Sequence, residues 1–136
     1  QRNFFHEIRN ITSPVGFSDQ HDRAHHDESI AQSQIWIQDH LSKSLSMPDL
    51  AAQFGMSTRT FNRRFIAATG STPNSYLTET RMAFACDLLK NTDLPIVDVA
   101  SYSGYPEPSW FSSRFSQWSG NSPSAYRKTV RAKLFT

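Results

Sequence analysis

The sequence contains a single cysteine and no long apolar run. One cysteine among 136 residues excludes an internal disulfide bond and any zinc site built from cysteine thiolates. Because Cys86 lies among apolar residues, it is interpreted as a small buried hydrophobic residue rather than as a reactive thiol. No apolar stretch approaches the ~20 residues of a membrane span, and no secretory signal is visible. The expectation is a cytoplasmic protein without membrane contact.

Groups able to form a catalytic or metal site are also scarce. A catalytic site needs His, Cys, Asp or Glu side chains that converge in a cleft, and His40 is the only histidine after residue 27. The polar segment 21–27 contains His and Asp, but it shows no sign of the rigid structure that a metal site requires. We therefore predict no enzyme activity, no catalytic residue, no metal site and no cofactor.

Net charge is small, but the basic residues are clustered. The total is only +2, with a pI near 8.9, so the total alone does not indicate a nucleic-acid partner. Residues 57–66 contain three Arg and no acid, and residues 126–136 contain four Lys or Arg and no acid. Such patches are typical of phosphate-binding surfaces, although a solvated basic face would have the same composition.

The chain repeats itself about fifty residues apart. Seven residues recur at a spacing of 50, and an upstream set recurs at a spacing of 49. The first set is Phe61, Arg64, Phe65, Gly70, Pro73, Tyr76 and Arg81, matched by Phe111, Arg114, Phe115, Gly120, Pro123, Tyr126 and Arg131. The second is Asp49, Leu50, Ala51 and Gly55, matched by Asp98, Val99, Ala100 and Gly104. Such a repeat is typical of one supersecondary unit used twice.

Apolar periodicity and turn residues predict helices and no strand. The predicted helices are 28–44, 47–54, 58–69, 73–90, 95–103, 107–118 and 123–133. In each repeat a short apolar helix is followed by a Gly turn and by a helix with polar residues facing outward. That pattern is a helix-turn-helix, and two in tandem indicate a domain that reads DNA.

The predicted organisation is an all-α domain preceded by a linker. Residues 1–27 are interpreted as a linker or the tail of an upstream domain, and residues 28–136 as the tandem helix-turn-helix domain. The first unit is expected at about 28–72, the connecting helix at 73–90 and the second unit at 95–133. Because the chain begins at Gln1, it is expected to be a fragment of a longer protein.

The two outward helix faces differ in the groups that they offer to DNA. On helix 58–69, Phe61 and Phe65 point inward, which directs Arg59, Asn62 and Arg63 outward. Arg pairs with guanine and Asn with adenine in the major groove. The full candidate set is Thr58, Arg59, Thr60, Asn62 and Arg63, then Ser109, Trp110, Ser112 and Ser113 from the second unit, with phosphate contacts from Ser57, Arg64, Arg114, Arg127 and Lys128.

The connecting helix has a length that suits two contacts on one duplex. Eighteen residues from Pro73 to Lys90 extend roughly 27 Å at about 1.5 Å per residue. Successive major-groove faces lie about 34 Å apart. We therefore expect one chain to place its two recognition helices in successive major grooves of double-stranded DNA.

Residues 28–136 resemble the C-terminal DNA-binding domain of AraC/XylS-type transcriptional regulators. The resemblance is carried by segment 93–100 with Ser103-Gly104-Tyr105, Phe111, Arg114-Phe115, Gly120, Ser122-Pro123 and Tyr126-Arg127, and by the matching residues of the first unit. It implies seven helices, two helix-turn-helix subdomains joined by a long helix, and transcriptional activation through RNA polymerase. Base contacts would come from Arg59, Asn62 and Arg63, and from Ser109, Trp110 and Ser113.

The chain departs from the family pattern in its second unit. Members commonly carry a longer polar or basic residue where Ser113 stands, and a polar residue where Pro108 stands. Phe4-Phe5 and residues 31–36 are similar to members whose N-terminal sensor is a class I glutamine amidotransferase-like domain. That similarity implies an effector site outside this chain. The alternative hypothesis is a protein-interaction module that keeps the fold without specific DNA binding.

Overall fold

A computed structural model of the chain describes residues 27–134, which are all-α, as predicted. They contain seven helices and no strand. In chain order these are α1 (Glu28–Asp39), α2 (Met47–Gln53), α3 (Thr58–Thr69), α4 (Pro73–Asn91), α5 (Ile96–Tyr102), α6 (Pro108–Ser119) and α7 (Pro123–Leu134). The predicted linker and the candidate metal ligands before Asp27 lie outside the described residues, as do Phe4 and Phe5.

The predicted helix boundaries agree with the structure to within one residue, except at the end of α1. That helix ends at Asp39, not near Ser44. The backbone N–H of His40 donates a hydrogen bond to the carbonyl of Ile37, three residues earlier, instead of continuing the helical pattern. Leu41 still lies in the core, although it follows the helix. At the start of α6, Glu107 is the N-cap rather than the first helical residue, and α5 begins at Ile96 rather than at Pro95.

The described residues form two compact units, 27–80 and 81–134. In the N-terminal unit, α3 packs against α1 and α2. Phe61, Phe65 and Tyr76 form an aromatic cluster, with ring centroids 5.6 and 5.5 Å apart along the row. Ile30 and Ile37 of α1, seven residues apart on one side of the helix, are fully buried. Burying each such side chain stabilises the unit by about 1.5–3 kcal/mol.

The C-terminal unit builds its core from the repeated residues. Here α6 packs against α5 and α7. Phe111, Phe115 and Tyr126 form the matching aromatic row, with ring centroids 5.6 and 5.4 Å apart. Leu88 and Leu89 of α4 are fully buried in this unit. The sequence repeat is therefore a repeat of packing as well.

Helix α4 runs through the boundary between the units. It is continuous from Pro73 to Asn91, and five of its apolar residues are buried at helical spacing, in addition to Tyr76 and Met82. Those five residues are Leu77, Phe84, Ala85, Leu88 and Leu89. Among residues 27–134, no helix is long and apolar enough to cross a membrane. The same residues contain no group of three or more His, Cys, Asp or Glu side chains that could hold a metal ion.

Candidate nucleic-acid interface

Helix α3 is the recognition helix of the N-terminal unit, and both of its ends are capped. The hydroxyl of Ser57 accepts a hydrogen bond from the backbone N–H of Thr60 at 3.2 Å, as a serine directly before a helix commonly does. Gly70 ends the helix in the left-handed conformation at φ 85°, which a side chain would strain. The two caps fix the register of the side chains between them.

The outward face of α3 carries the predicted base-reading groups. Arg59, Asn62 and Arg63 are all exposed, whereas Phe61 and Phe65 are fully buried. Thr58 and Thr60 are half-buried at the margin of this face. The helix has no acidic residue in its first turn, so its positive N-terminal dipole is unopposed there. The arrangement combines two guanidinium groups and one amide on a positively charged surface.

Helix α6 is the recognition helix of the C-terminal unit, and it is built differently. Its N-cap residue, Glu107, makes no side-chain capping bond, and Pro108 occupies the first turn. Ser109 and Ser113 are exposed on the outward face, and Ser112 is half-buried. These short hydroxyls have little reach and accept many partners. The predicted residues therefore share one face, but that face offers fewer groups that distinguish bases.

Trp110 packs edge-on against a buried tyrosine. Its side chain is 48% exposed, and its ring meets the ring of Tyr105 edge-on at 5.1 Å between centroids. The guanidinium carbon of Arg81 lies 5.6 Å from the centroid of the Tyr105 ring. Burial lowers the pKa of Arg81, and its contacts with Tyr105 offset part of that effect. Trp110 is thus held against the core on one side and open on the other.

Arg64 is predicted to contact phosphate, but its guanidinium is paired within the N-terminal unit, with 36% of the side chain exposed. Its Nε and Nη2 atoms donate to the two carboxylate oxygens of Asp27 at 2.8 and 2.7 Å. Asp27 is also the N-cap of α1, and its side chain is only 8% exposed. The hydrogen bond from Arg64 holds the pKa of Asp27 below its usual range. The prediction assumed no nearby acid, because the partner lies 37 residues away in sequence.

Arg127 was also predicted to contact phosphate, but it is directed into the C-terminal unit. Its guanidinium donates to the carbonyl of Leu89 at 2.9 Å and to that of Leu94 at 2.8 Å. The Leu89 carbonyl is in the last turn of α4, where the helix itself provides no partner, and the Leu94 carbonyl lies in the segment between α4 and α5. Burial lowers the pKa of Arg127. The basic sequence patch at 126–136 is therefore partly structural.

The other predicted phosphate contacts remain accessible. Arg114 and Lys128 are exposed, and neither makes a hydrogen bond or ion pair within residues 27–134. Arg114 stands at the repeat position of Arg64, so the same residue type is free in one unit and paired in the other. Ser57 is exposed at the N-terminus of α3, although its hydroxyl is engaged in the capping bond.

Sequence reasoning missed two features of this interface. Ile66 is 45% exposed on the outward side of α3, and the helical period that placed Asn62 outward would have placed Ile66 there too. Asp27 was assigned to a polar linker, although an Asp directly before a helix is an N-cap signal. Its pairing with Arg64 has no sequence signal, because the contact depends on how α1 and α3 pack.

The fold and this interface define a tandem helix-turn-helix domain with two polar recognition helices. A family model described as a helix-turn-helix domain matches residues 50–129. The chain belongs to this family, in its AraC/XylS type.

Curated relatives are longer proteins that share this domain. The chain is 34% identical over 89 residues to the transcriptional activator RhaS of Klebsiella pneumoniae, an alignment that covers 65% of this chain and 32% of the relative. It is 36% identical over 96 residues to the MmsAB operon regulatory protein of Pseudomonas aeruginosa, covering 71% of this chain and 31% of the relative. The chain spans about a third of the length of these relatives.

Solved structures share the fold. The DNA-binding domain of the global transcriptional factor AdpA, crystallised with a target DNA, is 36% identical with a TM-score of 0.73, covering 77% of this chain and 95% of that one. The C-terminal domain of AraT, a response regulator from Geobacillus stearothermophilus, is 31% identical with a TM-score of 0.73, covering 76% and 86%.

Proposed function

We propose that this chain binds double-stranded DNA sequence-specifically through α3 and α6, and that it thereby regulates transcription. The observation that carries the proposal is the exposed set Arg59, Asn62 and Arg63 on α3. Two Arg and one Asn are the side chains that pair bidentately with guanine and adenine in the major groove. The structure of AdpA, which contains a target DNA, supports the same use of the fold.

Phosphate contacts are proposed for a smaller set of residues than the sequence predicted. Arg114, Lys128 and the N-terminus of α3 at Ser57 are accessible, whereas the guanidinium groups of Arg64 and Arg127 have intramolecular partners. The contacts of Arg59, Arg63, Arg114 and Lys128 would release counterions on binding. We therefore expect log K to fall by several units per unit of log salt.

The experiment is selection of bound duplexes from a random pool, followed by titration of the enriched duplex at several salt concentrations. We expect one enriched sequence and a steep salt dependence. Arg59→Ala and Arg63→Ala should each weaken binding to the enriched duplex, whereas Lys43→Ala serves as the control that removes one positive charge outside the recognition helices. No enrichment, with a salt slope near zero, would contradict DNA binding and favour the protein-interaction alternative.

We also propose that the chain occupies successive major grooves as a monomer. The length and continuity of α4 support this, since its 19 residues extend roughly 28 Å. Hydroxyl-radical footprinting on the enriched duplex tests it. Two protected regions about one helical turn apart, at one protein per duplex, are expected. A single protected region, or two proteins per duplex, would contradict the proposal.

We further propose that the regulation is activation through RNA polymerase, with an effector site outside this chain. The family resemblance and the name of the RhaS relative, a transcriptional activator, support this proposal. A promoter reporter carrying the enriched duplex upstream of its core elements tests it. Expression should rise with the full-length protein, and a fall would show repression instead.

A further inference from the structure

The outward face of α3 has an apolar side chain at its centre. Successive residues of a helix are rotated by about 100° around its axis. Viewed along the axis, Asn62 therefore lies about 60° to one side of Arg59 and Arg63 about 40° to the other side. Ile66 lies between Asn62 and Arg63. Ile66 is 45% exposed, although β-branched apolar residues are usually buried. It is the only large exposed hydrophobic residue on this helix.

The side chain of Ile66 leans toward the base-reading groups. Helical side chains point back toward the N-terminus and cover the preceding turn, which here contains Asn62 and Arg63. These two residues are the i−4 and i−3 neighbours of Ile66, so all three present one continuous surface. A partner that pairs with Asn62 and Arg63 must therefore also cover Ile66.

Only one group on the major-groove edge of DNA is apolar. That group is the C5-methyl of thymine, and its usual protein contact is an apolar side chain. We propose that Ile66 is a specificity-determining residue that selects thymine, through its methyl group, beside the bases read by Asn62 and Arg63. This inference rests on the proposed DNA-binding function.

The C-terminal unit supplies an internal comparison. The residue at the repeat position of Ile66 is Ser116, which is half-buried on α6 and has no methyl-binding surface of similar size. The thymine preference should therefore belong to the half-site under α3. Ile35 provides the matched control, because it is 55% exposed but lies on α1, outside the recognition face.

The test removes the methyl from the DNA and the side chain from the protein separately and together. Each thymine of the selected duplex is replaced in turn by deoxyuridine, which lacks only the methyl. Wild type, Ile66→Ala, Ile66→Ser and Ile35→Ala are titrated on every duplex. At one or two thymines, deoxyuridine should weaken wild-type binding about fourfold, the effect of withdrawing one methyl from an apolar contact.

The two Ile66 variants should not respond to the methyl at those positions, whereas Ile35→Ala should respond as wild type does. Specific binding with no responsive thymine, or with the same response in Ile66→Ala as in wild type, would overturn the inference and leave DNA binding intact. Failure of every protein to bind any selected duplex would instead refute the proposed function, and the thymine contact with it. Thermal melting of the variants confirms that they fold.

Discussion

The two recognition helices share a core but not a surface. Inward, α3 and α6 carry the same pair of phenylalanines, with ring centroids 5.6 Å apart in both. Outward, four positions that α3 fills with long side chains are serines in α6. Those pairs are Arg59 with Ser109, Asn62 with Ser112, Arg63 with Ser113 and Ile66 with Ser116.

We infer from this difference that the repeat preserves the residues that folding needs, whereas the outward residues proposed for recognition are free to differ. The buried residues are constrained because each core has to be filled at high density. Arg59, Asn62 and Arg63 are exposed, so packing does not determine their identities. We infer that α3 reads the sequence of the DNA and that α6 contributes mainly attachment, with Trp110 and Arg114 as its larger contacts.

The largest expected effect tests whether the two cores are equivalent. Phe65→Ala and Phe115→Ala should each destabilise the chain by about 3–5 kcal/mol, because both side chains are fully buried. Against a total stability of about 5–15 kcal/mol, either loss is large. Urea unfolding followed by circular dichroism measures both, with Ile35→Ala as the exposed control. A midpoint near that of wild type in either variant would refute the inward assignment.

The next effect separates Arg64 from its repeat partner Arg114. Arg64→Met should lower the melting temperature, because it leaves the buried carboxylate of Asp27 without its ion pair. Arg114→Met should leave the free energy of unfolding within about 0.5 kcal/mol of wild type. It should also reduce the slope of log K against log salt for DNA binding by about one. The reverse pattern, with Arg114 needed for folding, would contradict the assignment.

The Asp27 pair also predicts a pH dependence. Because the folded pKa of Asp27 is lowered, its contribution to stability is fully present above the unfolded value of about 3.9. That contribution is lost as the pH falls through the lowered folded value. Arg64→Met should therefore show a shallower loss of stability in acid than wild type does.

A smaller effect concerns the polar groups next to the repeated tyrosines. In the N-terminal unit, the amide of Gln38 donates to the hydroxyl of Tyr76 at 2.6 Å. In the C-terminal unit, the side chain of Tyr126 contacts that of Cys86. Burial raises the pKa of the neighbouring Asp87 to about 6. One carboxylate oxygen of Asp87 is buried and has no hydrogen-bond partner among the described residues. The second unit thus carries an unsatisfied acceptor.

Asp87→Asn should therefore stabilise the chain at pH 7. A raised folded pKa means that ionisation costs more in the folded state, so stability falls as the pH rises from about 4 to about 6. The substitution should remove that fall and add about 1 kcal/mol at pH 7, because solvent screens part of the effect. Urea unfolding at pH 4 and pH 7 measures it. Equal destabilisation of the variant at both values would count against this explanation.

The smallest expected effect compares the N-caps of the two recognition helices. Ser57→Ala removes a capping bond and should cost about 1 kcal/mol. Glu107→Ser should supply the bond that α6 lacks and should stabilise the chain by roughly half as much. Thermal melting at one pH compares the two. No gain from Glu107→Ser would show that Pro108 and its neighbours already satisfy the end of α6.

Much of the fold could be predicted from local patterns. Ser57, Gly70 and Gly120 mark helix ends through their own side chains or conformations, and the period of Phe61 and Phe65 defines both faces of α3. Contacts between residues distant in sequence could not be predicted. The ion pair of Arg64 with Asp27 and the bonds of Arg127 to the carbonyls of Leu89 and Leu94 depend on tertiary packing. The sequence predicts phosphate contacts for both Arg because their sequence neighbours include no acid.

The most direct test of the asymmetry replaces each residue of one repeat pair by alanine. Arg63→Ala and Ser113→Ala are titrated on the selected operator and on every single-base substitution of it. Arg63→Ala should relax discrimination at one position by about 1–3 kcal/mol, whereas Ser113→Ala should change no position by more than about 0.5 kcal/mol. Relaxation by Ser113→Ala that equals or exceeds that of Arg63→Ala would contradict the claim that α3 carries the sequence specificity.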